Sequence, residues 1–166
     1  STSLLANPVL RRTLIASAVA VTAQDLFQFY MPIYGHSVGL SASAIGAVLA
    51  MSGIAAFVVR VWLPVLVKRW GPDTVFNGSL YVSAMAFLLF PLFSGALALA
   101  AIALVLGLGM GCAQPVTLML IFSRAPEGRS GEALGMRVTI NQITHIAVPV
   151  IFGAIGSVFG VAPVFL

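Results

Sequence analysis

Between Thr74 and Ser123 the chain contains no aspartate, glutamate, lysine or arginine. A helix drawn over that run would extend about 75 Å, more than twice the roughly 30 Å of a bilayer's hydrocarbon core, so the run must fold back once. Pro91, Ser94 and Gly95 are the proline, serine and glycine cluster nearest its midpoint, and they mark the break. A water-facing surface cannot be assembled from such material. Only 7% of the chain is charged, against roughly 25% in an ordinary soluble domain. At 60% hydrophobic it has ample surface to bury, which excludes disorder. A membrane protein remains.

In a bilayer every backbone donor and acceptor must be satisfied within the protein, which leaves helices or a closed barrel. Barrel strands alternate apolar and polar residues, whereas the apolar stretches here are continuous, as in Ala98-Leu-Ala-Ala-Ile-Ala-Leu-Val-Leu. The fold class predicted is therefore all-α, a polytopic transmembrane helix bundle forming a single domain over residues 1–166. Its spans are placed near residues 14–33, 44–67, 75–90, 97–122 and 132–157. A sixth begins at 161–166, where the chain looks truncated. The polar stretch 36–43 supplies serine N-cap candidates for the second helix.

Orientation follows from the loops. Arg11, Arg12, Lys68, Arg69, Arg124 and Arg129 fall on one side after alternate spans, and the opposite turns near His36, Ser94 and Ser157 hold no lysine or arginine. Short basic loops stay in the cytoplasm, so the N-terminus is placed inside, in a cell (inner) membrane. No cleavable signal peptide is evident.

Other classes find little support. The net charge of +4 is spread between apolar runs and not gathered on a nucleic-acid-binding module. A single cysteine, Cys112, excludes an internal disulfide, and no CxxC, HExxH or GxxxxGK[ST] motif offers zinc or nucleotide chemistry. No cofactor, metal or enzymatic activity is expected.

Two stretches resemble those of the major facilitator superfamily of transporters. Pro64-Val-Leu-Val-Lys68-Arg69-Trp70-Gly71 is similar to that family's short cytoplasmic loop after a second span. Gly109-Met-Gly-Cys-Ala-Gln114-Pro115, followed by Ala125-Pro-Glu127-Gly-Arg129-Ser-Gly131-Glu-Ala-Leu-Gly135, resembles the region between the fourth and fifth helices of one six-helix half. Lys68 stands where the first half usually has aspartate, and Pro72-Asp73 replaces a basic pair, which looks more like the second half. The resemblance implies a secondary active transporter of a small organic solute or drug. Such a protein works by alternating access, with proton coupling and with the other six-helix half as partner. A non-transporting membrane scaffold or receptor-like subunit would use the same spans without a hydrated lining.

Polar groups inside spans are costly and mark functional candidates. On the fifth span Arg137, Asn141 and His145 are spaced i, i+4, i+8 and share a face, with Val138, Ile140, Ile143 and Ile146 flanking them. They can line a solvated path, or Arg137 can snorkel while the other two bond to neighbouring helices. Gln24, Asp25 and Gln28 lie near mid-membrane on the first span. Asp25, the lone acid in any span, is read as a proton carrier, a substrate contact or a static partner for Arg137 or Arg60. Arg60 either snorkels toward the basic loop or touches substrate. Gln114 adjoins Pro115, where a missing backbone donor kinks a helix and frees carbonyls. Two arginines against one acid hint at an anionic or polar substrate. Gly107 and Gly111, Gly131 and Gly135, and Gly156 and Gly160 form GxxxG pairs suited to close helix packing. Tyr30, Trp62 and Trp70 are interface-belt or packing candidates.

Overall fold

The computed structural model describes residues 6–159. Its helices are α1 (Pro8–Ser37), α2 (Ala42–Trp70), α3 (Pro72–Leu89), α4 (Ala96–Arg124) and α5 (Ser130–Phe159), with one 3-10 turn at Phe90–Leu92. The chain is an all-α transmembrane bundle. Each helix starts before its predicted span and all but α3 also end beyond it, because the coil continues through the residues that flank the apolar stretch. The sixth segment and the Gly156–Gly160 pair lie outside the described residues or side chains. Four helices, α1 to α4, are long and apolar enough to cross a membrane. α5, at 30 residues, is as long, but Arg137, Asn141, Gln142 and His145 interrupt its apolar course.

The ends are set locally. Asn7 caps α1, its side-chain oxygen accepting from the amides of Val9 at 3.0 Å and Leu10 at 3.3 Å, with Pro8 in the first turn. Ser41 caps α2 through the Ala44 amide at 3.2 Å. Gly71 takes φ 80, a left-handed value, between the last residue of α2 and Pro72 at the head of α3. The predicted break in the uncharged run holds. α3 tightens into the Phe90–Leu92 turn, Phe93 is extended, and α4 restarts after Gly95. The Tyr34 hydroxyl, at the far end of α1, donates to the carbonyls of Phe90 at 3.3 Å and Phe93 at 3.2 Å, satisfying acceptors that a helix end leaves over.

α4 is the central helix and packs chiefly on α2 and α3, while α1 lies against α5 and α4. Its glycines explain the arrangement. A Cβ on Gly107 would stand 2.2 Å from the Ser52 carbonyl oxygen, and one on Gly111 would stand 2.7 Å from the Ala56 Cα. One on Gly109 would meet the Ser83 hydroxyl on α3 at 2.4 Å. The Gly107–Gly111 pair therefore seats α4 on α2, as its spacing predicts. Gly131 and Gly135 differ: nothing lies within 4 Å of a Cβ at either, so their spacing serves no helix contact among the described residues.

Around α4 the apolar side chains form three layers. Phe27, Met31, Phe90, Leu99 and Leu106 fill the end away from the basic loops. Val59, Leu63, Phe76, Val116 and Leu120 fill the middle, and Leu10, Leu14, Ile121 and Ala133 the basic end. Ile140 packs against this last layer, whereas Val138, Ile143 and Ile146 are exposed. Tyr30 is buried in the packing, and Trp62 and Trp70 face outward. Such broad exposed apolar faces suit a lipid surround.

Replacing Gly107 by leucine is expected to force α4 off α2 and to cost about 1–3 kcal/mol or more. Gly46→Ala, on α2 with nothing within 4 Å of its Cβ, should leave stability unchanged or slightly raised. Thermal unfolding in detergent, followed by circular dichroism, checks both.

Candidate functional site

Proline shapes the polar middle of the bundle. Pro32, Pro64, Pro115 and Pro149 each lie inside a helix. Having no N–H, each leaves the carbonyl four residues earlier without its helical donor. Those carbonyls belong to Gln28, Arg60, Gly111 and His145, so three of the four fall on residues that the sequence marks as polar candidates. The consequence is visible at Gly111. Its carbonyl oxygen accepts from Arg60 Nε at 3.3 Å, reaching across from α2 to α4. Arg60 thus turns to the neighbouring helix and does not snorkel toward the basic loop.

Arg137 is 9% exposed and does not snorkel either. One guanidinium nitrogen donates to Gln114 Oε1 at 2.6 Å, while its Nε has no partner. The Gln114 side chain is therefore an acceptor for a buried cation, supplied from the turn that Pro115 ends. A buried arginine is costly unless paired, and here part of that pairing comes from a neutral amide.

The stripe on α5 is divided among separate partners. Asn141 is buried and accepts from the Ser17 hydroxyl of α1 at 3.4 Å. One turn further, His145 Nδ1 lies 2.6 Å from Asp25 Oδ2. The partner of Asp25 is thus His145, and neither Arg60 nor Arg137 is paired with it. The two side chains of this pair differ in access: Asp25 is 17% exposed and His145 45%.

Two open recesses adjoin Arg60, and one of them also Gln114 and Arg137. One, of about 250 Å³, is lined by Gln24, Gln28, Ser52, Gly53, Arg60 and Gly111, among others. The second, of about 420 Å³, is lined by Arg60, Leu63, Gln114, Pro115, Leu118 and Arg137. Arg60 belongs to both, so residues of α1, α2, α4 and α5 adjoin along one furrow, in which these polar groups alternate with apolar side chains such as Phe27, Phe57, Leu106 and Leu118. Asp25, Asn141 and His145 lie on the α1–α5 contact and line neither recess. No group of three histidine, cysteine or acidic residues able to hold a metal occurs among the described residues.

At the basic end, the loop residues Pro64, Lys68, Arg69 and Gly71 occupy the last turns of α2 and its corner with α3. Lys68 and Arg69 are exposed in the last turn, where cations oppose the helix dipole. Sequence reasoning missed the partner of Asp73. Arg124, at the end of α4, pairs with Asp73 in the first turn of α3 and donates to the Thr13 hydroxyl of α1 at 2.6 Å. Three helix ends are tied there. The signal was a lone acid in a first turn facing a lone arginine in a last turn, fifty-one residues apart and so invisible to local spacing.

The sequence profile of the Major Facilitator Superfamily matches residues 1–149. The multidrug efflux pump LfrA of Mycolicibacterium smegmatis (strain ATCC 700084 / mc(2)155) is 29% identical over 124 residues, covering 73% of this chain and 25% of that protein. The chain therefore spans about a quarter of the length of this relative.

Gln114→Ala is expected to strand Arg137 in the interior and to cost about 1–3 kcal/mol or more. Gln114→Leu combined with Arg137→Met removes both polar partners and should recover most of that loss. Gln142→Ala, at an exposed position, serves as the control in the same detergent unfolding assay.

Proposed function

Because the chain belongs to the major facilitator superfamily, we propose that it forms one half of a secondary active transporter, the second, C-terminal half. That transporter moves a small organic solute or drug by alternating access and is driven by protons. The observation that carries this reading is the shared furrow, in which Gln24, Gln28, Arg60, Gln114 and Arg137 converge from four helices around two connected recesses. A static bundle has no need of open polar space at that depth, and midplane sites between helix groups are where such transporters hold their cargo.

In this reading Arg60 and Arg137 attract an anionic or polar group, the three glutamines orient it, and Asn141 keeps α5 on α1. Asp25 and His145 carry the coupling proton. At 2.6 Å the two side chains share one hydrogen bond between α1 and α5. A proton taken up or released there changes the charge of the α1–α5 contact by one unit and so biases one arrangement of the two helices over another. The basic loops face the cytoplasm, and the remaining half of the transporter covers the open furrow. The relative's description as a multidrug efflux pump supports a drug-like cargo and the outward direction.

Side-specific labelling tests alternating access. Gly53 lines the furrow and has nothing within 4 Å of its Cβ, so cysteine fits there. In the full-length protein, in a Cys112→Ala background, an impermeant maleimide should label Gly53→Cys from one face of the vesicle. Imposing a proton gradient should shift that labelling toward the other face. A scaffold would give labelling indifferent to the gradient. Asp25→Asn should abolish the shift and cut proton-driven efflux at least about tenfold, a loss of ~1.4 kcal/mol in the driven step, with normal protein abundance. Full coupling in that variant refutes the proton role assigned to Asp25.

A further inference from the structure

Another recess lies apart from the furrow. It runs between α2 and α3 with α4 as its floor, encloses about 340 Å³, and is lined by Val59, Leu66, Trp70, Val75, Gly78 and Leu108, among others. From Val59 to Trp70 on α2 it covers about 16 Å at ~1.5 Å per residue, close to half a hydrocarbon core of about 30 Å. It is a groove one leaflet deep. Glycine keeps it open: at Gly78 no side chain projects, and nothing lies within 4 Å of a Cβ there.

Its end at the basic loop has a different chemistry. The Arg69 guanidinium lies 6.0 Å from the centre of the Trp70 ring, and Lys68 is exposed in the same last turn, on the face of α2 away from Leu66 and Trp70. α3 starts at the same corner without a side-chain cap, leaving first-turn amides directed outward, and the Thr74 side chain lines the groove close by. The adjacent carboxylate, Asp73, is already paired with Arg124 and so leaves the two cations uncompensated. No cation lines either this groove or the comparable apolar recess on the other face of α3, formed by Val19, Ala23, Tyr81 and Phe87; the groove differs in having Arg69 against the Trp70 ring at its end.

We propose that this groove is a binding site for an anionic glycerophospholipid of the leaflet at the basic end. One acyl chain lies along Val59, Leu66, Val75 and Leu108, and the phosphate headgroup is held by Arg69 at the uncapped start of α3, with Lys68 adding its charge from the same turn. The site is separate from the furrow and does not depend on the transport reading. A neutral lipid would fill the groove equally well, but it would gain little from the two cations.

Tryptophan quenching tests the assignment. The chain has two tryptophans, so Trp62→Phe in the full-length protein's segment leaves Trp70 as this segment's reporter, with any tryptophan elsewhere replaced by phenylalanine. The protein is reconstituted in phosphatidylcholine vesicles carrying a minor fraction of either phosphatidylglycerol or phosphatidylcholine brominated near the carboxyl end of the chain. Brominated phosphatidylglycerol should quench Trp70 with the higher apparent affinity, by roughly fivefold for each basic residue engaged. Lys68→Gln with Arg69→Gln, both at exposed positions, should reduce that preference to the phosphatidylcholine level. Gly78→Leu should weaken quenching by both lipids while leaving the charges in place. Equal quenching by the two lipids overturns the proposal, as does a preference that survives loss of both cations. Competition by inorganic phosphate in the buffer would identify a free-anion site instead. Quenching that rises on dilution into excess lipid, without headgroup preference, would identify a second copy of the chain as the occupant.

Discussion

The close approach of α4 to its neighbours is the constraint on which the rest of the bundle depends. Lipid tails are as apolar as leucine, so helices in a membrane gain little from hiding hydrophobic surface and must gain instead from intimate contact. Gly107 and Gly111 admit α2, and Gly109 between them admits α3. Because 107 and 111 share one face and 109 lies on another, one short stretch of sequence grips two helices at once. That contact also sets the chemistry. It brings Arg60 within reach of the Gly111 carbonyl, a partner that exists because Pro115 has no N–H to offer it. The packing glycine and the unsatisfied acceptor are the same residue.

The polar groups follow a common pattern. Each cation or acid inside the bundle has one principal partner on a different helix: Arg60 on α4, Arg137 on Gln114, Asp25 on His145. None is locked into a multidentate network, and Arg137 Nε is left over entirely. Such pairs are strong enough to define one arrangement of helices and weak enough to be exchanged for another. The basic end is different. There Arg124 serves Asp73 and Thr13 together, joining α1, α3 and α4. The bundle is thus tied firmly at one end and held by single polar contacts through its middle.

Much of the architecture was legible in the residues. The uncharged run fixed one fold-back, and Pro91, Ser94 and Gly95 located it, because a bilayer allows few ways to place so long an apolar stretch. The Gly107–Gly111 pair was legible as packing, whereas the equally spaced Gly131 and Gly135 turned out to touch nothing. Spacing alone reports that a smooth surface exists, not that a helix lies on it. The stripe Arg137, Asn141 and His145 was found by its period, but its partners were not. Sequence left Asp25 as a proton carrier, a substrate contact or a static partner of Arg137 or Arg60, and the fold put it beside a histidine, since register between α1 and α5 decides the pairing and leaves no local trace. The Asp73–Arg124 pair was missed for the same reason.

Energetics bear on why these groups persist. A buried charged pair is seldom a net source of stability, and well-packed apolar residues of equal size generally serve as well or better. A bundle needing only to stand in a membrane would fill the space around Arg60, Gln114 and Arg137 with leucine. Instead, two recesses of about 250 and 420 Å³ lie open there. Polar groups that border open space, as Arg60 does, avoid part of the desolvation penalty, whereas Arg137 Nε is both unpaired and closed to water and carries that cost in full. In the reading proposed above, the furrow and its arginines therefore account for one another. The charges are tolerable because the space is wet, and the space stays wet because the charges line it. Asp25 and His145, on the α1–α5 contact outside that furrow, answer a different need. With His145 45% exposed and Asp25 17% exposed, the pair has a more open side and a more sheltered side, and in the proposed reading a proton arriving on the open side is felt by the packing of the two helices.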